Sequence, residues 1–123
     1  MIYPEMKHIL SPDVDDLETY CPEDAESFGF LLQLIIGPKN QKGEESFDVM
    51  VCTPKWLSQH FGKDEIILGR HYLILFEYNY QRLINHINKY LQQCSGETWH
   101  EVAVKVGKLG LWEFEDYHES AKD

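Results

Sequence analysis

Residues 28–36 are apolar at every position except Gly29 and Gln33. An apolar run of that length predicts a central strand covered on both faces. By the two-residue period, Phe28, Phe30, Leu32, Leu34 and Ile36 fall on one side, and Leu31, Gln33 and Ile35 on the other. Residues 37–43 are rich in Gly, Pro, Asn and Lys and predict a hairpin loop. The return strand is expected over about residues 45–52, with Phe47, Val49 and Val51 on one face. Residues 2–10 fit an edge strand that tolerates Pro4 near its start. A third strand is expected over about 71–77 and a short last one over 111–114.

Elsewhere the period lengthens to that of a helix. Thr53 followed by Pro54 is a helix start, since Thr caps well and Pro suits the first helical position. Trp56, Leu57 and Phe61 are expected to pack inward from it, with Gly62 ending it. Asn79 caps a second helix, with a staple between Tyr78 and Leu83. Leu83, Ile84, Ile87, Leu91 and Cys94 recur at helical spacing before Gly96, a C-terminal stop. Thr98 and Glu101 form a capping box for a third helix, whose stripe is Trp99, Val102, Ala103 and Val106 and which Gly110 closes. Strands joined by a hairpin, with helices mostly after them, predict an α+β fold: a small antiparallel sheet with helices packed mainly on one face, the other face partly wet.

Charge changes the picture more than composition does. A chain of 123 residues is expected to form a single domain, and it carries a net charge of -10. Residues 11–27 hold seven acids and no base, and residues 111–123 hold five acids against Lys122. These two stretches contain 12 of the 21 acids and 1 of the 11 bases, so the remainder is nearly neutral. Charge gathered this way opposes compaction by self-repulsion, which points to a positively charged partner. The plain alternative is a pair of solvated loops. Aromatics interleaved with the acids favour a contact surface, because aromatic anchors hold while charges steer. The partner-binding candidates are Asp13, Asp15, Asp16, Glu18, Tyr20, Glu23, Asp24 and Glu26 in the first stretch, and Glu113, Glu115, Asp116 and Tyr117 in the second. Period two would turn Trp112 and Phe114 inward and present Glu113 and Glu115 outward.

Several function classes are excluded at this level. No run of 18 apolar residues spans a membrane, and residues 1–10 lack the basic and apolar regions of a secretory signal. Cys21, Cys52 and Cys94 are odd in number and widely spaced, which reads as reduced thiols in a cytoplasmic protein. With two arginines, Arg70 and Arg82, the chain is a poor binder of nucleic acid. None of the six histidines has metal-ligand spacing, and nucleophile-elbow, P-loop and dinucleotide motifs are absent. No catalytic residue, cofactor or metal is indicated. Lys55, Arg70 and His71 are the residues from which a small enzyme pocket would be built.

The ordered motifs resemble a known family. They are Ile36-Gly37-Pro38, the block from Ser46 through Cys52-Thr53-Pro54 to Trp56-Leu57, Gly69-Arg70-His71, Glu77-Tyr78-Asn79-Tyr80, Thr98-Trp99 with Glu101, and Trp112-Glu113-Phe114-Glu115-Asp116-Tyr117. Together, over about residues 28–117, they resemble the immunity-protein-8 family of bacterial polymorphic toxin systems, which includes contact-dependent growth inhibition loci. The resemblance implies a cytoplasmic, non-enzymatic antidote that binds and blocks the toxic C-terminal domain of a secreted effector. The segregated charge adds the expectation of a one-to-one complex with a basic domain, and the composition that of no membrane or nucleic-acid partner. Many such toxins are nucleases with basic clefts, which an acidic surface would fill. An acidic adaptor or chaperone-like module that binds a basic partner without inhibiting it stays open on the residues alone.

Overall fold

The computed structural model describes residues 1–115. The sheet is built on strand β2 (Gly29–Pro38), which pairs antiparallel with β1 (Pro4–Leu10) on one side and β3 (Glu45–Cys52) on the other. Leu32 lies opposite Val49 and Leu34 opposite Phe47, so the apolar positions of both strands fall on one face. The register of β1 shifts between Met6 and His8, and the extra residue, Lys7, donates from Nζ to the Gln41 carbonyl at 2.8 Å.

Two helices cover that face. Helix α2 (Tyr80–Leu91) starts at Asn79, whose side chain accepts from the Arg82 amide at 3.0 Å. Helix α3 (Trp99–Val106) starts at Thr98, whose hydroxyl accepts from the Glu101 amide at 3.1 Å. The Glu101 carboxylate turns back to the Glu97 amide at 2.8 Å, one residue before the usual capping-box target. Leu83, Ile87 and Leu91 from α2, and Val102, Ala103 and Val106 from α3, close the core over Phe30, Leu32, Leu34, Phe47, Val49 and Val51. The result is an α+β fold with a mostly antiparallel five-stranded sheet and three helices.

The structure departs from the sequence expectations at several points. Strand β4 (Tyr72–Ile74) is shorter than expected and runs parallel to β3, with Val51 opposite Leu73. The reason is α1 (Pro54–His60), a crossover that carries the chain back before β4 begins. Trp56, Leu57 and Phe61 are half-buried rather than in the core. Helix α1 reaches the other side of the sheet, where Trp56 lies over Gly29: a Cβ there would come within 2.3 Å of its indole. Thr53 fixes this junction, its hydroxyl oxygen accepting from the amides of Phe28 at 3.2 Å and Trp56 at 3.3 Å. Helix α2 ends at Leu91, well before Gly96, which instead bridges to Ile2 at 2.7 and 3.0 Å. Helix α3 ends at Val106 and is capped by Gly107, not Gly110. Strand β5 (Leu111–Trp112) pairs with β3 below β4, after which the chain turns, so Phe114 leaves the strand alternation and is 40 % exposed. Finally, Leu31 and Ile35 stay partly exposed, so β2 is central but is not covered on both faces by the described residues.

Candidate partner interface

The acidic segment is a tethered loop, with a turn rather than a helix at 17–19. Val14 and Leu17 are buried in the core. The half-buried Tyr20 ring meets Tyr78 edge-on at 5.0 Å and Phe30 at 5.3 Å. The Tyr78 hydroxyl donates to the Leu17 carbonyl. Burial, with Tyr80, Tyr20 and Asp16 nearby, pushes the Tyr78 phenol from 10.0 up to about 12. Burial, then Cys21, raises Tyr20 as well.

With its apolar side chains held inside, the loop turns its carboxylates out. Asp13, Asp15, Asp16, Glu18, Glu23, Asp24 and Glu26 are all exposed. Three of them also brace the backbone: Asp13 accepts from the Leu31 amide at 2.8 Å, Asp16 from Glu18 at 3.0 Å and Asp24 from Glu26 at 2.9 Å. Asp24 and Glu26 share Lys55 at 3.8 and 3.9 Å, distances at which exposed pairs hold little energy. The segment therefore keeps a strong negative charge in a fixed shape.

The C-terminal acids sit differently. Glu113 accepts from the Ser46 amide at 2.9 Å, beside the end of β5. Glu115 pairs with Arg70 at 3.2 Å and its side chain is 27 % exposed. Asp116 and Tyr117 lie outside the described residues. The structure thus gathers the seven acids and Tyr20 of the first stretch on one loop and places Glu113 and Glu115 on the other side of β3, away from the β2 edge.

One surface escapes sequence reasoning, and a second is more apolar than the partly wet face expected there. In 66–76, Ile66 is 99 % exposed, Leu68 and Phe76 are each 81 % and Ile74 is 51 %. Ile74 and Phe76 border a groove of about 420 Å3 against α2, with Glu77, Arg82 and Leu83 on its walls. The second is the outer face of the sheet. Apolar residues in short runs look the same in sequence whether buried or displayed, and no local signal separates them.

Of the residues from which an enzyme pocket would be built, Arg70 and His71 reach the same corner, around Gly107 and Glu115, while Lys55 is engaged elsewhere. Lys55 faces the acidic loop, Arg70 pairs with Glu115, and His71 Nε2 lies 2.7 Å from the Gly107 carbonyl. His71 has φ 66°, in the left-handed region that His enters more readily than most non-glycine residues, and that contact helps to hold it. No cluster of three or more His, Cys, Asp or Glu able to hold a metal occurs among the described residues. Nor is any helix among them long and apolar enough to cross a membrane.

A family model described as immunity protein 8 matches residues 4–117, taking in the acidic loop as well as the motifs from Phe28 onward. No curated protein and no solved structure matches.

Proposed function

The chain belongs to the immunity-protein-8 family, and from that premise we propose that it binds and neutralises a cytotoxic effector domain by protein–protein contact, without catalysis. The partner is a basic domain, in the first instance a nuclease, and the complex is one-to-one and cytoplasmic. The observation that carries this reading is the acidic loop: seven exposed carboxylates held in place by Val14, Leu17 and Tyr20. Carboxylates anchored in this way imitate the phosphates that a nuclease cleft must attract. They also steer a basic partner toward its site before contact is made.

The test is co-expression. The C-terminal domain of the protein that the neighbouring upstream gene encodes should arrest growth when expressed alone and fail to do so beside this protein. Its purified form should sediment with this protein as a one-to-one complex. A growth arrest that persists despite complex formation would move the protein to a non-inhibiting adaptor.

A further inference from the structure

The outer face of the sheet does not read like a solvated surface. An antiparallel sheet with one wet face normally carries polar side chains there. Here one cross-strand row is Leu31, Met50 and Tyr72, and the next is Leu10, Gln33, Asp48 and Leu111. Ile35 follows, between His8 and Ser46. Trp56 takes up the Gly29 end, while Leu31, Ile35 and Met50 stay partly exposed and Leu10 and Leu111 are each 44 % exposed. The apolar run of β2 has the composition of a strand covered on both sides, but the described residues supply one cover.

We propose that the second cover is the toxin itself: the outer sheet face is the docking surface, and the acidic loop is its charged rim. This rests on the antidote reading and adds to it the place of contact. Charge identifies the occupant. Asp48 stands in the middle of the face, bonded to the Ser46 hydroxyl at 3.2 Å and with no cation beside it among the described residues. Asp13 stands at the β2 edge, and Asp24 and Glu26 stand by α1. Along the β1 edge of the face, Lys7 lies 3.8 Å from Glu5 and His8 lies 3.8 Å from Glu44, so each has an acid beside it. A basic surface with apolar side chains at its centre complements this arrangement, and an apolar centre within a polar rim is how such interfaces are built. A second copy of the chain does not fit: twofold pairing would set like charges against each other in a protein of net charge -10.

The experiment uses the full chain and the catalytically silenced effector domain encoded upstream. Leu31→Arg with Ile35→Arg should weaken binding at least about thirtyfold, the size of an interface hot spot, while Asp15→Asn with Glu23→Gln acts mainly on association rate. A folded double variant that binds as tightly as the parent overturns the docking face and leaves the antidote reading standing. A parent that does not bind the domain at all ends both. Should the double variant not fold, the parent decides: a soluble paramagnetic agent should broaden the methyl signals of Leu31, Ile35 and Met50 in the free protein and spare them in the complex. Equal broadening in both states overturns the proposal, as does protection confined to Ile74 at the α2 groove. A dimer of the free protein with these methyls already protected also overturns it.

Discussion

The carboxylate of Asp13 accepts a hydrogen bond at 2.8 Å from the amide of Leu31, a residue that β1 does not reach because it ends at Leu10 opposite Gln33. One acid thus satisfies a sheet-edge donor and pins the acidic loop to β2. Asp13→Ala should cost about 1 kcal/mol of stability, whereas Asp13→Asn, which keeps an acceptor, should stay close to the parent. Thermal melting compares the two, and faster exchange of the Leu31 amide in the alanine variant locates the effect.

Tyr78 ties the same loop from the core side. Its phenol titrates at about 12 instead of 10.0. A raised folded value means that the unfolded chain releases this proton first, so the contribution is complete below pH 10 and is lost as pH rises toward 12. Chemical denaturation at stepped alkaline pH should show stability falling across that window. Tyr78→Phe should flatten part of the fall and lower stability at neutral pH by about 1 kcal/mol, because the Leu17 carbonyl loses its donor.

Glu45 joins two tryptophans. Its Oε1 accepts from the indole of Trp99 at 2.5 Å and from that of Trp112 at 3.1 Å, closing α3 and β5 onto β3. Glu45→Ala should therefore destabilise by about 2 kcal/mol by orphaning two part-buried donors, and Glu45→Gln by less. Trp112→Ala should cost about 2 kcal/mol, below the loss for a fully buried ring, since Trp112 is half-buried. Urea titrations of the three variants check the order.

Much of this fold was legible in the chain. The β2–β3 pair and the caps Thr53, Asn79 and Thr98 were, because alternation and capping are decided by neighbours in sequence. The parallel β4 was not, because its direction depends on where the α1 crossover delivers the chain. Nor was the position of Trp56, whose spacing suits a core helix; the notch at Gly29 on the opposite face decides it. The segregation of acid was evident, but not that Asp13, Asp16 and Asp24 brace the backbone or that Glu115 is matched to Arg70. Those roles depend on which amides and cations the tertiary structure leaves nearby. Ile66, Leu68 and Phe76 carry no local mark of exposure.

The same notch gives a direct test of the outer face. A Cβ at residue 29 would lie 2.3 Å from the Trp56 ring, which stacks on His60 at 4.2 Å. Gly29→Ala should displace the indole, shift its fluorescence and cost about 2 kcal/mol. Pairing it with Trp56→Leu should recover part of that loss in the melting temperature.

The central claim is that fixed negative charge brings this protein onto a basic toxin domain. The most direct test is the association rate with the silenced domain between about 50 and 500 mM salt, a range that shortens the screening length about threefold. The rate should fall steeply for the parent. It should start lower and fall less for the variant with Asp15, Asp16, Glu23 and Asp24 changed to their amides. A parent rate that stays flat across that range, equal to the variant's, would contradict the account.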